Sequence, residues 1–386
     1  MRALLALHLA CSSALDPALC KLPNLSPRAD VALGFPRLPY RLNPVGTRRW
    51  SILAVDFSDL PATRTPLQLL SQLAPAAAFY GAVSYARLSA ELVLGVPGVV
   101  RMPLPSTAYS FATFDSHRSY LRNATGAACG AGWDPAGRWD SVVVMAAVAT
   151  PALSFGPAFC AVPGEGYAAC ASGVVFLNSA TSGNDFPAWG FKWFNHENSH
   201  TMGLVDLYAF EAGAGEFRYT GQWSLMGDIG GAAPEPFGWE RWLLGWLLDA
   251  QVACLGAGEA SVALAPLSGG SGGGAPGAAR LLVIPTASAR NCTGIAVELR
   301  RPLGYDAGIP KGGLLVYALD TSLATGEGPL RVLNAEEADG AKLQAPLAVG
   351  ESLVIGGVRI EHTSTDAHGN AVVSVSVAAA AAAAAP

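Results

Sequence analysis

The most informative stretch of the sequence is Trp193-Phe-Asn-His196-Glu197-Asn-Ser-His200-Thr-Met-Gly203-Leu-Val-Asp206. On an α-helix, positions i and i+4 differ by about 40° of rotation and about 6 Å of rise, so His196 and His200 project from one face. Neutral imidazole nitrogens that reach one point are zinc ligands. Gly203 permits the left-handed conformation that ends a helix. The turn then brings Asp206 back as a third ligand, which leaves a fourth position open, as in catalytic zinc sites.

Two further residues complete this pattern. Glu197 follows the first histidine, where it can take a proton from water at the metal and pass it to a leaving group. Met226 lies in Trp223-Ser-Leu-Met226-Gly-Asp-Ile-Gly230, and a Met in such a turn suits an apolar floor beneath the ligands. The alternative is a helix whose histidines only pack or hydrogen-bond, with Asp206 as an ordinary turn residue and Met226 as plain core.

The composition excludes several classes of protein. The chain has 386 residues, a formal net charge of −5 and 14% charged residues. It has no block of clustered Lys and Arg, so nucleic acid is not an expected partner. Hydrophobic residues make up 51% of the chain, which is enough for a buried core and excludes global disorder. No uninterrupted run reaches the roughly 18 apolar residues of a membrane span, so no transmembrane segment is predicted.

The first 14 residues have the features of a secretory signal peptide. Arg2 supplies the positive start, residues 3–10 the apolar segment, and Ser12-Ser13-Ala14 the small-residue cleavage site. We therefore expect a secreted, extracellular protein. Asn123-Ala-Thr and Asn291-Cys-Thr are candidate glycosylation acceptors on that route.

The cysteines fit the same compartment. Of the seven, Cys11 would leave with the signal peptide, and the remaining even number suggests disulfides. No CxxC pair is present, so a cysteine zinc site is not expected. Many pairings remain open. Nearness along the chain favours two pairs and leaves a third, namely Cys160–Cys170, Cys254–Cys292 and Cys20–Cys129. Cys20 has a second reading as a thiolate that caps the metal before activation, although a disulfide is preferred.

The pattern of elements predicts an α+β fold. Strands over 50–57, 92–101, 139–147 and 173–177 alternate with helices over 65–80, 109–123 and after Pro187. Short β-type runs at 281–284, 295–299, 314–317, 352–355 and 371–377 predict a C-terminal β-sandwich. The expected organisation is a signal peptide 1–14, an extended leader 15–45, a catalytic domain 46–250, a β-rich domain 251–377 and a low-complexity alanine tail 378–386.

Several segments resemble the immune-inhibitor-A-type secreted metallopeptidases of the metzincin kind. Besides HExxHxxGxxD, they include Val55-Asp-Phe-Ser-Asp59, Ser84-Tyr-Ala-Arg-Leu-Ser89 and Phe237-Gly-Trp-Glu-Arg-Trp-Leu-Leu-Gly-Trp246, and the similarity covers about residues 46–377. The resemblance implies a zincin-like catalytic domain, with a mixed sheet and a zinc-binding helix. One catalytic zinc ion would be bound by His196, His200 and Asp206, with Glu197 as general base and Met226 in the Met-turn.

The chain departs from that family in three places. Asn198 and Ser199 are more polar than the residues expected between the histidines. The leader is too short for a folded pro-domain. Asp228 stands where some metzincins have a Tyr, which leaves Tyr208 and Tyr219 as candidate oxyanion donors.

The sequence thus predicts a secreted zinc endopeptidase acting on protein or peptide substrates, extracellular-matrix or cell-wall proteins among them. The segment Gly173–Leu177 is expected to be the sheet edge to which an extended substrate adds as a strand. A structural calcium ion also suits an acidic extracellular protein, although no EF-hand-like loop is present. Two alternatives stay open: a catalytically silent binding or adhesion protein on the same scaffold, and zinc hydrolysis of a non-peptide bond. Oligomeric state and peptide specificity are not predicted.

Overall fold

The computed structural model describes residues 16–137, 139–211, 215–269, 278–286, 288–334 and 341–378. The predicted signal peptide and nearly all of the alanine tail lie outside these ranges. Within them the protein is α+β, as the sequence predicts. No helix in the described ranges is both long and apolar enough to cross a membrane.

The first half of the chain is built on a mixed sheet. Its strands in chain order are β1 (Gly46–Asp56), β2 (Leu88–Leu94), β3 (Val100–Arg101), β4 (Ser141–Ala146), β5 (Ala158–Cys160), β6 (Tyr167–Ala169), β7 (Val174–Phe176) and β8 (Asn178–Thr181). The main sheet has the order β2-β1-β4-β8-β5, with β3 paired to the far end of β1. All pairs in it are parallel except β5 with β8, so an antiparallel strand closes one edge.

In the described ranges, six α-helices accompany the sheets, namely α1 (Pro66–Leu73), α2 (Pro75–Val83), α3 (Phe114–Gly130), α4 (Phe186–Trp189), α5 (Phe191–Met202) and α6 (Gly238–Leu243). A capping box between Thr65 and Gln68 starts α1. The single helix expected over 65–80 is two helices, because Pro75 lacks the N–H that would continue α1. The helix expected over 109–123 begins later, at the Thr113 cap.

Two hydrophobic cores lie on the two faces of the main sheet. Side chains alternate between faces along a strand. In β1, Trp50 and Ile52 therefore join the core that contains α1, α2 and α5, whereas Leu53 and Val55 join the core that contains α3. Helix α5 is thus fixed on one face of the sheet, close to its antiparallel edge.

The second half is β-rich. Its strands are β9 (Val252–Cys254), β10 (Gly258–Leu264), β11 (Leu281–Thr286), β12 (Thr293–Arg300), β13 (Gly313–Asp320), β14 (Leu330–Val332), β15 (Ser352–Ile355), β16 (Val358–Thr365) and β17 (Ala371–Val377). They form a five-stranded sheet, β14-β13-β12-β11-β9, and a four-stranded sheet, β10-β17-β16-β15. The two sheets share a third hydrophobic core, with Leu282 and Val297 on one side and Ile360 and Val373 on the other.

The five-stranded sheet also packs against the first half of the chain. Its other face places Leu281, Val283, Leu315 and Tyr317 in the same core as α5. A buried polar link runs beside it, since the Glu298 carboxylate accepts hydrogen bonds from the Gly238 N–H (2.6 Å) and the Tyr317 hydroxyl (2.8 Å). The two halves therefore share one continuous interior. The domain boundary near residue 250 stays a prediction.

The leader is an integral part of this interior. Leu22, Val31, Leu33 and Leu42 are buried. The leader also supplies donors to the C-terminal end of α5, whose last carbonyls have no partner within the helix. Ala32 N–H donates to Gly203 O (3.1 Å), Leu42 N–H to Thr201 O (2.9 Å) and the Arg37 guanidinium to Met202 O (3.1 Å). The leader thus caps the helix that carries the HExxH motif.

The disulfides differ from the expected pairing. Cys20 is bonded to Cys254, and Cys129 to Cys170, whereas Cys160 and Cys292 are free. The pairing by nearness along the chain was wrong because the leader folds back onto the β-rich half and the β6–β7 hairpin packs on α3. The bond to Cys254 also excludes Cys20 as a metal-capping thiolate in this state.

We expect the Cys20–Cys254 bond to stabilise the protein more than the Cys129–Cys170 bond. A cross-link raises the free energy of unfolding mainly by restricting the unfolded chain, and the effect grows with the length of the loop that it closes. The sequence separations are 234 and 41 residues. Loop entropy gives upper values of about 5 and about 4 kcal/mol. Calorimetry should show a larger fall in melting temperature for Cys20→Ser/Cys254→Ser than for Cys129→Ser/Cys170→Ser.

The free Cys292 provides the control, and its replacement by Ser should lower the melting temperature least. A larger fall in melting temperature on removing the Cys129–Cys170 bond would contradict the prediction that the bond from the leader stabilises the protein more.

Candidate metal centre

The rotation of α5 is fixed by hydrogen bonds from three directions. The Trp50 indole N–H donates to Asn198 Oδ1 (2.7 Å), the Tyr80 hydroxyl to Asn195 O (2.9 Å), and the Trp193 indole N–H to Gly156 O (2.7 Å). Asn198 is fully buried, so its amide is a partner for Trp50 rather than a solvent-facing group. This contact accounts for the polar residue that departs from the family pattern.

The turn after α5 forms as the sequence predicts. Gly203 has φ = +111°, a left-handed conformation that favours glycine, and its N–H donates to His200 O (2.8 Å). Leu204 N–H then donates to Ser199 O (3.0 Å), which closes the helix end. The chain reverses there, and Asp206 returns to the face that carries His196 and His200.

Three side-chain atoms meet at this point. The distance between His196 Nε2 and His200 Nε2 is 3.2 Å. Asp206 Oδ1 lies 3.2 Å from His196 Nε2 and 3.1 Å from His200 Nε2. Only 4%, 12% and 13% of the His196, His200 and Asp206 side chains are exposed. In a tetrahedral site with ligands about 2.0–2.1 Å from zinc, neighbouring ligand atoms are about 3.3–3.4 Å apart. The observed triangle is close to that size.

Backbone carbonyls decide which nitrogen of each histidine carries its proton. His196 Nδ1 lies 2.8 Å from Leu225 O, and His200 Nδ1 lies 2.9 Å from Leu204 O. A carbonyl oxygen only accepts, so each Nδ1 must be the donor. In the neutral imidazole, each Nε2 then presents a lone pair to the shared point. This is the tautomer that metal-ligating histidines adopt.

The resulting site fits a divalent cation. Asp206 Oδ1 is buried and has no hydrogen-bond donor of its own, although it faces both Nε2 atoms. Two imidazoles and one carboxylate are ligands suited to zinc. Among the described residues, His196, His200 and Asp206 form the one group of His, Cys, Asp or Glu side chains close enough to hold a metal ion together.

Without a metal, a proton on a histidine reduces the repulsion between the lone pairs of His196 Nε2, His200 Nε2 and Asp206 Oδ1. Burial lowers the pKa of His200, but the neighbouring Asp206 carboxylate outweighs burial and raises that pKa to about 9. Burial likewise opposes ionisation of Asp206, but the two histidines hold the pKa of its carboxyl well below the ordinary value. A proton on His200 and a bound cation therefore compete for the same position.

The Glu197 carboxylate lies beside the three candidate ligand atoms, and Glu197 is not itself a candidate ligand. Its Oε2 accepts a hydrogen bond from Ala158 N–H of β5 (2.6 Å). Burial raises the pKa of Glu197 to about 7, against the lowering effect of the two histidines. A carboxyl group with a pKa near neutrality is suited to accept and return a proton at neutral pH.

Met226 belongs to the turn that orients His196. The Leu225 carbonyl that holds His196 Nδ1 is in this turn, and Met226 O accepts from Leu207 N–H (2.8 Å). Ser224 braces the turn, because its hydroxyl donates to Glu240 Oε2 (2.9 Å) and accepts from Met226 N–H (3.2 Å). Met226 itself is fully buried in the core that contains α5.

The two candidate oxyanion donors are placed differently. Tyr208 lines the cleft around the ligands, and its ring is 6.5 Å from that of His196. Burial, with the nearby carboxylates of Asp206 and Glu197, raises the Tyr208 pKa, so its hydroxyl stays a donor. Tyr219 is not among the residues that line the cleft, and its hydroxyl accepts a hydrogen bond from Arg218 (2.8 Å). The role of Tyr219 as an oxyanion donor stays a prediction, which this placement does not support.

The edge strand beside the site is β5, and not the segment expected from the sequence. Residues 174–176 form β7, which pairs only with β6 in a separate two-stranded sheet. Strand β5 pairs with β8 on one side, and Ala158 N–H points from its other side to Glu197. The short β5 carries only three residues, which is too few for the alternation of polar and apolar residues that identifies a strand.

The cleft has a volume of about 410 Å³ and is lined from distant parts of the chain. The leader contributes Arg28, Asp30 and Val31, and the β-rich half contributes Thr325. The sequence contains no signal for these residues, because they come close to the ligands only through the fold.

The two candidate glycosylation acceptors differ in accessibility. Asn123 lies within α3, its amide donates to the Tyr109 hydroxyl (3.2 Å), and Thr125 of the same motif is fully buried. Asn291 is exposed in the turn between β11 and β12. The structure therefore favours Asn291 over Asn123.

The chain matches no known protein-family model, and no curated protein sequence matches it.

We expect the zinc affinity of the protein to rise with pH between about 7 and 9. In the metal-free protein the His200 pKa is raised to about 9, so zinc must displace a proton below that pH. The apparent dissociation constant should fall by up to about tenfold per pH unit and then level off. Competition with a chelator whose own pH dependence is known measures this profile. An affinity that is constant from pH 7 to 9 would contradict the proton competition.

Proposed function

We propose that the protein is a secreted zinc endopeptidase of the metzincin kind. The observation that carries this proposal is the buried triangle of His196 Nε2, His200 Nε2 and Asp206 Oδ1 with the Glu197 carboxylate beside it. Three ligands leave one coordination position open, which distinguishes a catalytic zinc site from a structural one.

The residues divide the chemistry as follows. Bound zinc supplies a Lewis acid that polarises the scissile carbonyl and lowers the pKa of water. Glu197 takes the proton of the attacking water and returns it to the leaving amine. Tyr208, whose raised pKa keeps its hydroxyl protonated, donates a hydrogen bond to the carbonyl oxygen as negative charge develops there. The Ala158 N–H holds the Glu197 carboxylate at the edge of the sheet.

A strand edge next to the ligands supports a peptide substrate. Thr181 N–H donates to Pro157 O and Ala161 N–H to Leu177 O, so residues 157 and 161 face β8. Because an antiparallel ladder alternates, the backbone groups of Ala158 and Cys160 face the cleft, where the Ala158 N–H is bonded to Glu197 and the other groups are available to a substrate strand. An extended peptide pairs with such an edge through its main chain. We propose that a peptide bound in this way has its scissile bond beside Glu197.

The lining of the cleft supports a substrate with a large apolar side chain. Five phenylalanines line it, namely Phe111, Phe114, Phe155, Phe159 and Phe210. Three of these are substantially exposed: Phe114 at 38%, Phe155 at 52% and Phe210 at 55%. An aromatic group gains free energy when a ligand covers it.

The fold and the compartment agree with the proposal. Five parallel strands with an antiparallel edge strand, and an HExxH helix beside that edge, fit the zincin-like fold that the family resemblance implies. The two disulfides suit an extracellular protein, because disulfides persist in oxidising compartments. We propose that its substrates are extracellular proteins or peptides.

Glu197→Gln should bind zinc as the unmodified protein does and lose nearly all peptide cleavage. Gln has the same shape and lacks the proton-accepting carboxylate, so kcat should fall about 100-fold to 10,000-fold. Zinc content is measured by mass spectrometry of the dialysed protein, and cleavage with fluorescent casein.

Glu165→Gln is the matched control, since Glu165 is exposed and does not line the cleft. It should leave both zinc content and cleavage unchanged. Full casein cleavage by Glu197→Gln, or no zinc-dependent cleavage by the unmodified protein, would refute the proposed function.

Phe155→Ala should weaken substrate binding without removing activity. Loss of an aromatic contact of about 1 kcal/mol raises KM by about threefold to tenfold for peptides with a Phe or Leu next to the cleaved bond. The kcat should change little. Leu67→Ala is the control, because Leu67 is 69% exposed on α1 and does not line the cleft. Equal KM values for the two variants would show that Phe155 does not contact the substrate.

A further inference from the structure

The loop between β13 and β14 reaches from the β-rich half to the third metal ligand. Asp206 N–H donates to Thr325 Oγ1 (2.9 Å), and the Thr325 hydroxyl donates to Asp206 Oδ2 (3.2 Å). Gly326 N–H donates to Asp206 O (3.1 Å), and Phe210 N–H donates to Gly326 O (3.2 Å). Four hydrogen bonds thus join 206–210 to 325–326.

The Thr325 hydroxyl makes both of its hydrogen bonds to Asp206. A hydroxyl group has one donor and two acceptor lone pairs. Here the donor goes to the carboxylate of Asp206 and one lone pair accepts from its backbone. The carboxylate is therefore held at Oδ2, and Oδ1 is left without a donor, facing the two histidines.

The loop is itself held in place. Gly326 has φ = +76°, and a Cβ added there would lie 2.2 Å from a ring atom of Phe210, so the ring packs directly on its backbone. Asp320 Oδ1 accepts from Ser322 N–H (2.9 Å), and the Glu327 carboxylate accepts from Ala324 N–H (2.7 Å). The position of Thr325 is thus set by hydrogen bonds within the β-rich half together with the packing of Phe210 on Gly326.

We propose that Thr325 is a positioning residue for the metal centre. It selects which carboxylate oxygen of Asp206 faces the metal, and so makes metal binding depend on the β-rich half of the protein. Groups that hold a metal ligand by hydrogen bonds typically contribute 10-fold to 100-fold to metal affinity. The proposal rests on the metal centre of the proposed function, but its test measures metal affinity and not peptide cleavage.

The test compares zinc dissociation constants of full-length variants by chelator competition. Thr325→Val keeps the shape and removes the hydroxyl, so the dissociation constant should rise about 10-fold to 100-fold. Thr325→Ser restores the hydroxyl and should lie within about threefold of the unmodified protein. Thr363→Val is the control, because the Thr363 hydroxyl donates to Val372 O on an exposed part of β16.

The outcomes separate the two proposals. A raised constant for Thr325→Val with recovery in Thr325→Ser supports the positioning role. An unchanged constant for Thr325→Val, or equal losses in the Val and Ser variants, overturns it while leaving the proposed function intact. If Thr325→Val does not fold, Thr325→Ala provides the same comparison. An unmodified protein that binds no zinc overturns both.

Discussion

In the pocket between α5 and β5, three electron-pair donors meet with only 3.1–3.2 Å between them. Such a cluster is unfavourable in a buried site unless a proton or a cation lies among the donors. The structure enforces the cluster nevertheless, since the carbonyls of Leu204 and Leu225 turn both Nε2 lone pairs inward. The free energy that holds these groups together comes from the packing and hydrogen bonds of the surrounding structure. A divalent cation bound among the donors would convert the repulsion into coordination.

Three distant parts of the chain stabilise that arrangement. The leader caps the C-terminal end of α5, where the helix gives way to the turn that carries Asp206. The turn at Met226 supplies the carbonyl that orients His196. The β-rich half supplies Thr325. The Cys20–Cys254 bond ties the leader to that half, so both supports of the Asp206 segment are covalently connected. The leader and the β-rich half are therefore parts of the scaffold of the candidate metal centre.

The sequence was sufficient for the parts of the site that are local. The i, i+4 spacing puts His196 and His200 on one face of a helix, and Gly203 allows that helix to end in a left-handed turn. In the structure this turn brings Asp206 to the same two histidines. The strand content of the β-rich half followed from short β-branched runs. Contacts between distant segments could not be predicted from such local patterns. The disulfide pairing, the three-residue β5 and the Thr325 contact depend on how the halves pack, which leaves no periodic pattern in the sequence.

The proposed function depends on His196, His200 and Asp206 holding one metal ion with an open coordination position. A crystal structure of the zinc-loaded protein, with anomalous diffraction recorded on both sides of the zinc absorption edge, tests it most directly. We predict one strong peak, about 2.0–2.2 Å from His196 Nε2, His200 Nε2 and Asp206 Oδ1, with no fourth protein ligand. A peak held by other residues, a fourth protein ligand, or no peak at this point in zinc-saturated crystals would contradict it.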